Sequence, residues 1–234
     1  MKPALTSYRW TGPVDRVWRF AVVSDLHNGR FDDFLPDLAG VDAILVPGDL
    51  VLRYGSRTDR AAEFLRAAPE VASTYYSIGN HERRLREPEA WLELARSSRA
   101  ILLDNGFVRL GDDLLLGGFS SGRNVGIHPE IVGRMGRETG VKLLMCHHPE
   151  YYGEYVKGKG IDLTLSGHAH GGQVQLFGHG LYAPGQGILP KLTNGFYDDR
   201  HLLVSRGAAN ANHLPRWGNP CEVLLLTLSP AGEE

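Results

Sequence analysis

Hydrophobic residues in the first half of the chain come in short unbroken runs. Trp18 to Ser24 (W-R-F-A-V-V-S), Val41 to Val46 and Ser73 to Ile78 each read as a strand. Alternate residues of a strand face opposite sides, so runs apolar at both parities predict strands covered on both faces. Between them lie segments of helical composition: a short helix at Phe31 to Leu38, a crossover helix at Arg57 to Ala67 rich in Ala, Arg, Glu and Leu, and another helix at Glu87 to Arg96. Strands alternating with helices call for a parallel layout with right-handed crossovers. In such sheets the chemistry gathers at the carboxyl ends of the strands.

The second half is richer in strands. Ala100 to Leu103, Phe107 to Leu110 and Leu114 to Phe119 are short, punctuated by Gly, Asp and Asn, and predict antiparallel pairing. Pro129 to Thr139 reads as helix. Val141 to Cys146 and Ile161 to Leu165 are buried strands, and Leu202 to Ser205 and Glu222 to Leu228 close the chain as strands. Ala4 to Trp10 has weaker strand character and suits a sheet edge, followed by a Gly12-Pro13 turn. Gly171 to Asn194 is a long loop with many Gly and Pro, carrying Phe177, Leu181, Tyr182, Ile188 and Leu189; these either shape access to a site or pin the loop to the body.

Composition narrows this picture without redirecting it. With 234 residues, 42% of them hydrophobic, the chain supports one ordinary to large domain over 1–234 and shows no internal repeat or linker. A net charge of -2 and no long Lys/Arg stripe give no strong nucleic-acid signal. Cys146 and Cys221 fit neither a disulfide framework nor a CxxC zinc pattern. No apolar segment near the start has signal-peptide or membrane-span length, so a cytoplasmic location is the expectation for the chain as given, with membrane association or export if a leading segment precedes it.

The chemistry lies where the strands end. Ser166 to Gln173 reads S-G-H-A-H-G-G-Q, two imidazoles two residues apart with glycines giving backbone room beside them. Upstream, D-L-H (25–27), G-D (48–49), G-N-H-E (79–82) and H-H-P (147–149) each close another strand run. Carboxylates, a carboxamide and imidazoles without a thiolate suit Mn, Fe, Zn or Mg rather than copper(I) or an iron–sulfur cluster. Five motifs hold more ligands than one ion needs, which points to two divalent ions, Mn first among them. A pair about 3.5 to 4 Å apart can activate water and clamp a phosphoryl group.

This ordered set, D25xH27, G48D49, G79N80H81E82, H147xP149 and G167H168xH170, resembles the calcineurin-like metallophosphoesterase superfamily. P-G-Q-G-I-L-P-K-L-T-N-G, L-V-S-R-G and N-P-C-E-V further resemble its YkuE/YaeI-like bacterial branch. The resemblance implies an α/β fold, a four-layer αββα sandwich of two mixed β-sheets flanked by helices. It implies that Asp25, His27 and His170 hold one metal, that Asp49 bridges, and that Asn80, His147 and His168 hold the second. His81 then faces the substrate as the catalytic histidine without binding metal. The implied activity is hydrolysis of a phosphodiester, pyrophosphate-linked or phosphomonoester substrate, small or lipid-linked, by a metal-bridging hydroxide. A catalytically silent binding scaffold and a nuclease with the same site are the alternatives, and the oligomeric state is open. The HxP pattern selects His147 over His148. Leu52 stands where many relatives carry a second carboxylate, which leaves the partner orienting His81 open and disfavours the adjacent Glu82. His128, His179, His201 and His213 lie outside the motifs, and Arg123 and Arg206 are left out of the site.

Overall fold

The computed structural model describes residues 2–54, 57–120, 127–176, 179–210 and 216–232. In chain order its strands are β1 (Ala4–Gly12), β2 (Trp18–Val22), β3 (Ala43–Val46), β4 (Ser73–Tyr76), β5 (Ile101–Leu102), β6 (Gly106–Arg109), β7 (Leu114–Phe119), β8 (Val141–Cys146) and β9 (Leu163–Ser166). Four short strands follow, β10 (Gln175–Leu176), β11 (His179–Gly180), β12 (Tyr182–Ala183) and β13 (Gly187–Ile188), then β14 (Gly195–Tyr197), β15 (Leu202–Val204) and β16 (Glu222–Pro230). The helices are α1 (Asp59–Val71), α2 (Pro88–Ser97) and α3 (Glu130–Gly136).

Two six-stranded mixed sheets result, ordered β1-β16-β2-β3-β4-β5 and β14-β15-β9-β8-β7-β6. The parallel core of the first, β2-β3-β4, is the one expected from its alternating runs. Strand parity then sorts the apolar residues into layers. Phe20, Val22 and Leu45 face inward and meet Leu143, Met145, Leu163 and Leu165 of the second sheet. Ala21, Val23, Ile44 and Val46 face outward, onto Phe64 and Leu65 of α1 and Trp91 of α2. On the far side, Leu144 and Cys146 of β8 pack with Ile131, Val132 and Met135 of α3. Helix, sheet, sheet, helix is the order of layers.

Two local expectations are corrected. The segment 31–38 forms only a 3-10 turn over Leu35–Leu38, with Pro36 at its start; proline has no N–H to continue a hydrogen-bonded helix into that turn. β5 does not pair antiparallel with its successors: it joins the first sheet parallel to β4, and only β6 and β7 pair antiparallel. Partner choice for a two-residue strand is set by the edge it finds, which the local sequence does not encode.

Candidate metal centre

Each of the five motifs leaves the carboxyl end of a strand and turns at once. Asp25 and His27 follow β2, Asp49 follows β3, Asn80 and His81 follow β4, His147 follows β8, and His168 and His170 follow β9. The turns force left-handed backbone, with φ of 56° at Asp25, 51° at His27, 56° at Asp49, 65° at His168 and 49° at His170. Such a conformation costs a non-glycine residue about 1 to 3 kcal/mol and persists where surrounding contacts over-determine it.

Those contacts are backbone-deep. Asp25 N–H donates to Gly48 O at 3.1 Å and His27 N–H to Asp49 O at 3.1 Å, joining the first two loops; Gly167 N–H donates to His147 O at 3.1 Å, joining the last two. The Asp25 carboxylate spans the two halves by accepting the His168 N–H at 3.2 Å. Glycine is required at the closest approaches: a Cβ on Gly79 would lie 2.2 Å from Asp49 Oδ1, and one on Gly167 2.3 Å from Asp25 Oδ2.

All seven expected ligands are buried, and six of them fall into two sets. In the first, His27 Nε2 and His170 Nε2 each lie 3.6 Å from Asp25 Oδ1. In the second, Asp49, His147 and His168 offer donor atoms within 4.8 Å of one another, His147 Nε2 lying 3.0 Å from Asp49 Oδ2. The sets adjoin: His147 Nε2 is 3.9 Å from Asp25 Oδ1, and His27, Asp49 and His81 form a linking cluster. Asn80 Oδ1 is buried without a hydrogen-bond partner. A lone acceptor in that position is an unmet cost in a protein interior and a ready ligand for a hard cation. Oxygen and imidazole donors at these spacings fit divalent ions.

Hydrogen bonds orient the rings. Val51 O lies 3.2 Å from His27 Nδ1 and takes its N–H, which leaves the Nε2 lone pair toward Asp25. His81 Nδ1 is held by the main chain in either tautomer, accepting from Arg53 N–H at 3.1 Å or donating to Val51 O at 3.2 Å. His81 Nε2 is 3.7 Å from Asp49 Oδ2, and His81 N–H donates to Asp49 Oδ1 at 2.8 Å. The backbone at 51–53 therefore orients His81. Leu52 points outward, 38% exposed, at the mouth of the cleft.

The electrostatics separate the histidines. Burial works against the charge on both Asp25 and Asp49, yet the adjoining imidazoles hold both carboxyls well below the usual range, His170 and His147 acting on Asp25 and His147 and His81 on Asp49. Burial also opposes charge on His147, but Asp49 and Asp25 lift it to about 9. Burial pushes His81 down to about 4 against the pull of Asp49, and His170 down to about 3 against that of Asp25. His81 is thus neutral at pH 7. Metal binding through His147 at pH 7 would displace its proton. About one proton per protein or more is expected to be released, and affinity should rise with pH toward 9. Calorimetry of Mn loading in buffers of different ionisation enthalpy would read this, and loading without proton release would contradict it.

His148 is outside the expected ligand set but forms a further donor cluster with Glu150 and His168. It stacks on Tyr151 at 4.7 Å and packs against His168 at 4.1 Å, where burial lowers its proton affinity to about 3. His128 pairs with Glu130, and His201 bonds Asp162 O, both on the surface; His179 is exposed. Arg123, Phe177 and His213 lie outside the described residues.

Three supporting residues escaped sequence reasoning. Glu82 does not orient His81. Its buried carboxylate accepts N–H bonds from Leu50 at 2.7 Å, Gly79 at 2.9 Å and Asp49 at 3.1 Å, stapling the second and third loops together. Each buried N–H left unmet costs roughly 1 to 3 kcal/mol. Glu82→Ala is therefore expected to lower Tm by well over ten degrees, and Glu82→Gln by less. Equal Tm for wild type and Glu82→Ala would refute the staple. Asn219 Nδ2 donates to His170 O at 2.7 Å and Gln173 O at 3.1 Å, holding the GHAHGG turn. Arg216 lies 2.9 Å from His170 Nδ1 and donates to Ala209 O at 2.9 Å. A guanidinium only donates, so that contact puts the His170 proton on Nε2, and an ion bound by that ring must displace it.

The centre opens into a cleft of about 710 Å³, whose walls include Asp49, His81, Arg84, Tyr151, His168 and Tyr182. A sequence model of the calcineurin-like phosphoesterase family matches residues 19–179, which contain the five motifs. The chain belongs to that family. Curated relatives of this calcineurin-like phosphoesterase include the uncharacterized protein YpbG of Bacillus subtilis, 25% identical over 88% of this chain and 79% of the relative. An uncharacterized metallophosphoesterase of Helicobacter pylori is 26% identical over 94% of this chain, which spans 62% of that relative's length. A Danio rerio transmembrane protein with metallophosphoesterase domain is 26% identical over 67% of this chain and 41% of its own. By family and donor set, this phosphoesterase is a metal-dependent hydrolase. Among its described residues no helix is long and apolar enough to cross a membrane.

Proposed function

We propose that this calcineurin-like phosphoesterase carries a binuclear centre and hydrolyses a phosphodiester or pyrophosphate-linked compound, small or lipid-linked. The observation that carries this reading is the pair of adjoining donor sets, Asp25/His27/His170 and Asp49/His147/His168, with Asn80, its Oδ1 unpartnered, lining the cleft that Asp49 and His168 also line. Asp25, His27 and His170 would hold one ion and Asn80, His147 and His168 the other, with Asp49 shared between them. Bound divalent ions supply acidified water and neutralise phosphoryl charge. The chain's own residues do the rest. His81, fastened through Nδ1 to the main chain at 51–53, turns Nε2 to the phosphoryl group and the leaving oxygen, and donates there in the tautomer that accepts from Arg53 N–H. Burial of the ligands keeps bulk water from competing for the donors.

A cleft of about 710 Å³ exceeds what a small monoester fills. Exposed apolar side chains nearby, Leu52, Tyr54 and Tyr182, suit a substrate with a nonpolar group. The test is turnover of bis-p-nitrophenyl phosphate: chelation is expected to abolish it and Mn to restore it. Absence of metal-dependent turnover of any mono- or diester by fully loaded protein would remove the proposal.

A further inference from the structure

The residue after the catalytic motif supplies a charge that the hydrolysis itself does not use. Arg83 and Arg84 are consecutive, and their fates differ. Arg83 pairs with Asp104 at 2.8 Å. Arg84 is half-buried and lines the cleft, as does the exposed Arg53, and among the described residues no carboxylate lies within ion-pair distance of either. A partly desolvated guanidinium without an acid is costly unless an anion visits it. The main chain of both arginines is tied to the segments around the centre. Tyr54 N–H donates to Arg84 O at 2.9 Å, which ties their two loops together. Arg53 N–H donates to His81 Nδ1 at 3.1 Å. Glu150 and Glu154 enter the same cleft from the segment after β8, and among the described residues its arginines come from the segments after β3 and β4.

We propose that Arg84, with Arg53 beside it, holds a second phosphoryl group on the leaving side of the scissile phosphate, which makes the substrate a diphosphate-linked ester. This deepens the reading above and rests on it, since His81 marks the leaving side only if it serves the leaving oxygen. In the reaction, a water oxygen bonds to one phosphorus as that phosphorus loses its bond to the bridging oxygen. The bridging oxygen departs on the second phosphate, whose growing negative charge the guanidinium pair meets with parallel N–H donors. Two phosphate monoesters result, and the water's protons are shared between products and solvent.

The test compares kcat/KM for UDP-glucose, a diphosphate, with that for bis-p-nitrophenyl phosphate, whose leaving group carries no phosphate, in one Mn-loaded preparation. A ratio of two substrates does not depend on the folded fraction. In Arg84→Ala the diphosphate-to-diester ratio is expected to fall roughly 10- to 100-fold, the size of a lost charged hydrogen bond, chiefly through KM. Arg84→Lys should recover part of it. An unchanged ratio in Arg84→Ala would overturn the inference, as would wild-type turnover of the diester without turnover of the diphosphate, and in both cases the phosphoesterase reading would stand. Loss of both activities in the wild type would instead defeat that reading and this inference with it.

Discussion

Asp49→Ala is expected to take the metal out of the protein. Metal analysis after loading and desalting should give about two ions for the wild type, as a two-metal site requires, and less than one for the variant. Asp49 belongs to the second donor set and also reaches the first through His27, as Asp25 reaches His147 of the second. It lies 3.0 Å from His147 Nε2 and 3.7 Å from His81 Nε2, and clusters with His27 as well. Its removal also leaves the His81 N–H and His147 without their closest anion. Turnover should fall to background. Because the change empties a buried position, Asp49→Asn serves as a second variant that keeps the volume and the neighbours' packing; it too should lose metal. Full occupancy in Asp49→Asn would show that this carboxylate does not bridge.

His81→Ala is the complementary case. His81 belongs to the linking cluster, but its Nδ1 is committed to the backbone at 51–53, which leaves Nε2 alone to face the centre, and under the proposed function that nitrogen serves the phosphoryl group rather than a metal. Metal content should stay near the wild-type value while kcat falls about 100- to 1,000-fold, the range for one donor aimed at a developing charge. Metal loss equal to that in Asp49→Ala would assign His81 to the ligands instead.

The division between what was legible in the chain and what was not follows physical lines. The sandwich was readable because runs such as Phe20-Ala21-Val22-Val23 place apolar groups on both faces of a strand, and only a layered fold covers both. The convergence of the candidate ligand residues was readable because each closes such a run, and strand ends of a parallel sheet share one edge. Their supports were hidden. Arg216 and Asn219 act on His170 from 46 and 49 residues away, and no local pattern announces a contact of that separation. Glu82 was visible as part of G-N-H-E, but its task as a buried staple depends on three N–H groups that converge only after two strands pair. The partner of His81 was hidden for a related reason: in place of a carboxylate, main-chain groups at 51–53 orient it, and main-chain groups leave no trace in residue identity.

The most direct measurement is an anomalous difference map from crystals of the Mn-loaded protein. The account predicts two peaks, one among Asp25, His27 and His170 and the other among Asn80, His147 and His168, with the Asp49 carboxylate between them. A single peak, or density away from these side chains, would contradict it.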